Sequence, residues 1–463
     1  MAVSTAELTD RFQAGLAQWP PEQRFCVAYS GGNDSLALLV LAHRLLGYEQ
    51  LRVLHVHHGL SDQADCWLAN CRSVCQRLGR ALIERRVDVA THSGQGPEAA
   101  ARAARYQAFA ECLQADEVLM LAHHRDDQVE TVLLRLLSGA GLDGLCGMPS
   151  TRALGAGWLW RPLLDTGRAE LNLLVRESGL YAVSDPSNTD HKLERGFLRT
   201  RILPLLQQRY PGFESAVLRS RQHIAATKGF VDQQCRQRVE RFRQADGSLD
   251  VACLRDESPF MLAACIRWWL REQQVSAPST RRLESFIAQL SAAAEGRSPQ
   301  MRWDEYQLRR YRDRVYLLPR TLPPALDAQW QVEWKLVEPL VLPDRSEQLV
   351  LQPAQAVCRQ WRLLARSRRP GDRLRPCGHK HSRSLKYLFQ QAGEPPWLRV
   401  GTPVICHPRD GRILAVGDRW LSRGFARWLR QRGLRLHFSR DTRTHFMTAE
   451  VKPSEAALPE SPS

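Results

Sequence analysis

Over the first 215 residues, short apolar runs alternate with stretches of helical spacing. FCVAYS (25–30), LRVLHVHH (51–58), EVLMLAHH (117–124) and the shorter ALIERRVDV (81–89) read as strands. Between them, SLALLVLAHRLLG (35–47), DCWLANCRSVCQRLG (65–79), PEAAARAARYQAFAECLQ (97–114) and QVETVLLRLLSG (128–139) carry apolar residues at helical intervals. Strand alternating with helix predicts right-handed βαβ units and an α/β fold, with a parallel sheet covered on both faces. Such sheets bind ligands beyond the carboxyl ends of their strands. Three unusual segments, SGGNDS (30–35), HVHHGL (55–60) and AHHRDDQVET (122–131), sit at predicted strand ends.

The pattern changes after QQRYPGFES (207–215). Residues 216–320 read as a mostly helical domain rich in arginine. A Pro-containing linker at 321–345 follows, then a small α+β module at 346–442. The Pro-, Ser- and Glu-rich end, 443–463, predicts disorder.

Composition adds a direction to this outline. The chain has 463 residues and a net charge of +16, which points to a polyanionic partner such as nucleic acid. Its twelve cysteines include no Cys-x-x-Cys pair, so a disulfide framework is not the reading. Cys66, Cys71 and Cys75 fall on a predicted helix and read as reduced thiols rather than a zinc site. The N-terminus MAVSTAELTD lacks the charged and apolar regions of a signal peptide, and no apolar run approaches about 18 residues. A cytoplasmic protein without a membrane span is expected.

Strand, then Ser30-Gly31-Gly32-Asn33-Asp34-Ser35, then helix, builds an anion site. The glycines permit positive φ and close backbone approach. The new helix directs free N–H groups and its positive end at the ligand. The spacing is neither that of a Walker A loop nor Gly-x-Gly-x-x-Gly. Asp34 suits Mg²⁺ beside phosphates, although a tight turn with an Asp cap fits the six residues equally well.

The loop resembles that of the N-type ATP pyrophosphatases, the PP-loop enzymes, which cleave ATP between its α and β phosphates and adenylate a carbonyl. The further motifs choose among them. HVHHGL, PEAAARAARYQAF (97–109), LAHHRDDQVETVLLRLLSGAGLDGLCGM (121–148), RPLL (161–164), SDPSNTD (184–190) and RGFLRTRILPLL (195–206) resemble the tRNA(Ile)-lysidine synthetase family in order and spacing. RRPGDRLRPCGHKHSRSLKYLFQQAGEPPWLRVGTPVI (368–405) resembles that family's C-terminal module. One departure is visible: Arg195-Gly196 stands where the family usually has Arg-Asn.

The resemblance implies a Rossmann-like catalytic domain at 1–215, with tRNA-binding domains following it. It also implies a carbon–nitrogen ligase. ATP adenylates the C2 oxygen of the wobble cytidine in the CAU anticodon of tRNA(Ile), and pyrophosphate leaves. The ε-amine of free L-lysine then attacks C2 and AMP leaves. Lysidine pairs with A rather than G, so the tRNA changes from methionine to isoleucine identity. ATP and Mg²⁺ are the implied cofactors, and a homodimer is compatible.

Residue types fit this chemistry. The loop, Ser30 to Ser35, would supply phosphate donors, and Asp34 would hold Mg²⁺. Arg102 and Arg105 share a helical face, and one of them would clamp phosphate. Asp127 and Glu130, three apart on one helical face, would bind the lysine ammonium and aid its deprotonation. Asp126 reads as the helix cap. His123 would act over the nucleotide, and His124 reads as its neighbour. His57 and His58 would position the nucleotide; a metal reading of the three histidines 55, 57 and 58 lacks completing ligands. Arg195 and Arg199 would serve the lysine or tRNA substrate. The basic stretches LRSRQH (218–223), RRLESF (281–286), RSRRPGDRLRPCGHKHSRSLK (366–386) and RWLRQRGLRLH (427–437) suit an RNA backbone. Two rivals remain: a PP-loop tRNA thiolation enzyme, which commonly uses paired cysteines, and a non-catalytic RNA-binding protein.

Overall fold

Six strands form the sheet that positions the site, in the order β3-β2-β1-β4-β6-β5. They are β1 (Arg24–Ala28), β2 (Leu51–His57), β3 (Leu82–Arg86), β4 (Glu117–Met120), β5 (Thr151–Leu154) and β6 (Gly157–Trp160). All neighbours pair in parallel except the edge pair β5–β6. The computed structural model describes residues 4–57, 59, 63–88, 97–183, 194–255, 257–292, 298–343, 347–353 and 361–439. His58, SDPSNTD and the tail 443–463 lie outside the described residues.

The connecting helices are α1 (Thr5–Leu16), α2 (Asn33–Leu45), α3 (Ala64–Arg77), α4 (Pro97–Cys112), α5 (Arg125–Leu137), α6 (Leu142–Leu145) and α7 (Arg168–Ser178). Side chains of β1 alternate between the two faces, as a strand requires. Phe25, Val27 and Tyr29 join α1, α2 and α7 in one core, while Cys26 joins Phe109 and Leu113, contributed by α4 and the residues just after it, in the other. Leu36 to Ala42 of α2 are all buried, so this helix is apolar on every side because it is covered on every side. The predicted strands and helices of this region form. The β5–β6 hairpin and α7 extend the pattern beyond them. Gly157 lets β6 start against β4, because a Cβ there would overlap the Glu117 carbonyl.

Beyond it lie α8 (Glu194–Phe197), a π-helical turn at Leu198–Ile202, α9 (Leu203–Arg209) and α10 (Phe213–Phe242). The chain forms two compact units that divide between Phe230 and Val231, inside α10. The expected break at 215/216 therefore falls within a continuous helix of 30 residues.

The second unit opens with the last turns of α10, followed by β7 (Leu249–Asp250), α11 (Val251–Arg255), α12 (Pro259–Glu272) and α13 (Thr280–Ala292). Residues 300–319, expected within a helical domain, form strands β8 (Gln300–Trp303), β9 (Tyr306–Tyr311) and β10 (Arg314–Pro319). With β7 they make an antiparallel sheet under the helices. The expected linker at 321–345 contains a strand, Gln331–Lys335, paired antiparallel to Arg362–Arg366. Trp334 is buried there, so the apolar core claims a segment whose prolines suggested a spacer. The terminal module is α+β, with a five-stranded sheet, a three-stranded sheet and the helix Arg423–Gln431.

Candidate active site

β1 is flanked by β2 on one side and β4 on the other, so the chain leaves in opposite directions around it. Helices then diverge, and a crevice opens at the carboxyl ends of the three strands. A cavity of about 700 Å³ fills this crevice, lined by the loop after β1, by His55 and His57 of β2, and by His123 after β4.

The loop is built in advance. Gly31 has φ +91°, and its Cβ would meet Val183 Cγ2 at 3.0 Å and Cys71 Sγ at 3.1 Å. Only glycine takes this conformation in this space without strain. Val183 N donates to Gly31 O at 3.0 Å. Ser30 and Ser35 hydroxyls lie 3.0 Å apart, and Ser35 Oγ donates to Gly32 O at 2.9 Å. Asn33 Nδ2 donates to Asn172 Oδ1 of α7 at 2.8 Å. No side chain caps the start of α2, which leaves its first amides for an anion.

Asp34 stands at the loop's end with Oδ2 3.5 Å from His124 Nε2. Its Oδ1 is buried and has no hydrogen-bond partner among the described residues. Burial would raise its pKa, but the hydrogen bond and charge of His124, with Arg168 and Arg199, hold it below the usual value. An ionised oxygen without a donor, beside a phosphate-type loop, fits Mg²⁺. That ion commonly takes one or two carboxylates and shares its remaining positions with phosphate and water.

His124, read as a neighbour, is instead the hub of the acidic side. It is 2% exposed and lies 3.5 Å from Asp34 and Asp127 and 3.7 Å from Asp126. It is also the N-cap of α5, displacing Asp126 from the expected cap, and its own amide donates to Asp127 Oδ2 at 3.1 Å. The Asp126 amide, 3.3 Å from His124 Nδ1, would favour a neutral ring. Burial also opposes the charge. The hydrogen bonds to Asp126 and Asp34 and the charges of Asp127 and Asp34 outweigh both and push the pKa up to about 10. The spacing His-x-x-Asp at a strand-to-helix junction was the available signal.

Asp127 and Glu130 do share one face of α5, and Arg199 already occupies it. Arg199 Nε and Nη2 donate to Glu130 at 2.7 and 2.9 Å, with Asp127 Oδ1 3.5 Å away. The π-helical turn carries Arg199 to them. Arg195 donates to Thr131 Oγ1 at 3.1 Å, so both arginines around Gly196 reach α5. A second cavity of about 220 Å³ opens here, lined by Asp126, Glu130, Arg168, Arg199, Gln207 and Glu214 among others. Burial and the charge of Asp126 raise the Glu214 carboxyl, against a smaller opposing pull from Arg125.

His123 has the opposite setting. Burial, then the charges of Arg161, Arg102, Arg195 and Arg105, drive its pKa well below the ordinary value. That shift favours the neutral ring, and Nδ1 is buried without a partner among the described residues. Arg105 and Arg102 separate: Arg105 lines the large cavity, whereas Arg102 lies over the Tyr106 ring at 5.0 Å. His57 is buried, with Nε2 3.3 Å from Asp65 Oδ1. His55 Nδ1 lies 2.8 Å from Tyr29 O. Cys71 and Cys75 are buried, and desolvation pushes their thiols up to about 12 and about 11. In the second unit, Arg423, Arg427 and Arg430 are exposed on one helix, and none has an ion pair among the described residues.

A parallel sheet with its switch point at β1, and a glycine loop leading into α2, define a PP-loop nucleotide-binding enzyme. The PP-loop domain family matches residues 4–206. The TilS substrate binding domain matches 249–316, and the TilS substrate C-terminal domain matches 363–438. The chain is 39% identical to tRNA(Ile)-lysidine synthase of Methylococcus capsulatus, over 90% of this chain and 96% of that one. It is 39% identical to that of Xanthomonas campestris pv. campestris, over 92% and 97%. It is 38% identical to that of Alkalilimnicola ehrlichii, over 87% and 91%. The chain belongs to the tRNA(Ile)-lysidine synthase family.

Proposed function

We propose that this chain joins free L-lysine to C2 of the wobble cytidine in the CAU anticodon of tRNA(Ile), at the expense of ATP. The observation that carries the reading is the pairing of two cavities: one built around a phosphate-type loop, the other walled by carboxylates.

ATP enters the larger cavity with its phosphates on the amides of residues 32–35. Arg105 faces the same cavity and balances charge as pyrophosphate leaves. Asp34 would hold Mg²⁺, which supplies charge neutralisation at the departing phosphates. The C2 oxygen of the cytidine forms its bond to the α-phosphorus, and the bond to pyrophosphate breaks. Neutral His123 orients the reacting groups through its unpartnered nitrogen. Lysine binds with its ε-ammonium at Asp127 and Glu130, sharing them with Arg199. Only the free amine is nucleophilic, so a proton must leave toward a carboxylate or water before attack. Nitrogen then bonds to C2, and AMP departs with the former C2 oxygen. Exposed arginines of the terminal module grip the tRNA backbone. The tRNA substrate puts the enzyme in the cytoplasm. No helix among the described residues is long and apolar enough to cross a membrane.

The test is incorporation of radiolabelled lysine into a tRNA(Ile) transcript with a CAU anticodon, with and without ATP and Mg²⁺. ATP-dependent incorporation that collapses in Asp127→Asn supports the reading. RNA-dependent exchange of pyrophosphate into ATP with no lysine incorporation would retain the loop and overturn the nucleophile.

A further inference from the structure

Arg168 lines both cavities. It is the first residue of α7, and its side chain is exposed. Among the described residues its guanidinium has no ion pair and no hydrogen bond. Arg125 N donates to Thr166 O at 2.9 Å, which ties the residues just before α7 to the start of α5. The root of the Arg168 side chain is thus fixed, while its charged end is left for something else. The Asp34–His124 contact spans the same wall, since Asp34 lines the large cavity and His124 the small one.

We propose that Arg168 binds the α-phosphate where the two cavities meet, first in ATP and then in the adenylated cytidine; this rests on the function proposed above. Attack requires the lysine nitrogen and C2 to come within about 3–3.5 Å. C2 is one oxygen away from the phosphorus. Amine site and phosphorus therefore have to meet across one wall, and Arg168 stands in that wall. The α-phosphate carries negative charge in both half-reactions and departs on AMP in the second. A guanidinium there matches phosphate by paired hydrogen bonds. The competing ligand, the lysine carboxylate, is disfavoured by Asp126, Glu130 and Glu214 on the small-cavity side.

The experiment compares wild type, Arg168→Ala and Arg168→Lys in two readouts. The first is calorimetric binding of AMP and of adenosine, whose affinity ratio isolates the phosphate contact. The second is kinetics of RNA-dependent ATP–pyrophosphate exchange and of lysine transfer. Arg168→Ala should lose roughly 10- to 100-fold in AMP affinity while adenosine binding stays unchanged. Its kcat should fall about 10²-fold in both half-reactions with lysine KM unaltered, and Arg168→Lys should recover part of each. An unchanged AMP-to-adenosine ratio would overturn the proposal. So would a rise in lysine KM with exchange intact, which would assign Arg168 to the lysine carboxylate. Failure of wild type to bind either nucleotide would overturn the underlying function as well.

Discussion

His123 and His124 are consecutive residues at the end of β4, and they face regions of opposite character. Around His123 stand Arg102, Arg105, Arg161 and Arg195. Around His124 stand Asp34, Asp126 and Asp127, and Glu130 is held nearby by Arg199. The extended backbone at His124, φ −121° and ψ −176°, turns successive side chains to opposite sides. Burial and the arginines drive the pKa of one imidazole down, and the carboxylates drive that of its neighbour up. Equal residues thus receive opposite pKa shifts from their surroundings alone.

The sharpest way to break this comparison is to discharge the acidic region. Asp127→Asn should lower lysine transfer about 10³-fold while RNA-dependent pyrophosphate exchange falls far less, measured in parallel on one preparation. Glu130→Gln should do the same and also destabilise the fold by about 3 kcal/mol in denaturant titration. Arg199 would then be left half-buried without its carboxylate.

On the basic side, the two arginines of α4 should separate. Arg105→Ala should cost about 10² in exchange rate, whereas Arg102→Ala, packed over Tyr106, should cost less than about tenfold. Equal losses would mean that the cavity lining does not identify the phosphate ligand.

Titration sharpens the comparison further. The His124 pKa is raised from 6.5 to about 10, so its stabilising contribution is complete below pH 6.5 and is lost as pH climbs toward 10. His123 acts in reverse: its depressed pKa penalises the folded state as pH falls below 6.5, where the unfolded chain gains the proton. Thermal melts from pH 6.5 to 10 should therefore show a decline in wild type that is flatter in His124→Gln. A parallel decline in both would remove the charged ring. The smallest effect is expected at the loop: Gly31→Ala should cost about 1–3 kcal/mol through its positive φ and its contact with Val183.

The central strands and their helices were legible because buried parallel strands are continuous apolar runs and α2 to α5 keep helical period. The β5–β6 hairpin was not. Each strand has four residues around Gly155 and Ala156, too short for a period to register. In residues 300–319 the alternation is broken, with Arg309 and Arg310 consecutive and Val315 to Leu318 all apolar, so a period of two did not register. Prolines 319, 323 and 324 suggested a spacer, yet Trp334 lies just beyond in the core. In the site, SGGNDS and Asp127/Glu130 stood out through local spacing. His124 and Arg168 did not, because their surroundings come from elements distant in the chain: Asp34 lies 90 residues from His124, and the segment leading into Arg168 is bonded to α5 through Thr166, across the β5–β6 hairpin.

The Cys71 thiol packs where a side chain at Gly31 would stand, directly behind the phosphate loop. Any adduct on that sulfur would press on the loop's tightest turn. Yet it is fully buried, and its proton is held to about 12, so little thiolate exists to react at neutral pH. Oxidants and alkylating agents that consume exposed thiols such as Cys66 and Cys377 should leave this position untouched. The loop is thereby hardened against redox stress by the same packing that shapes it.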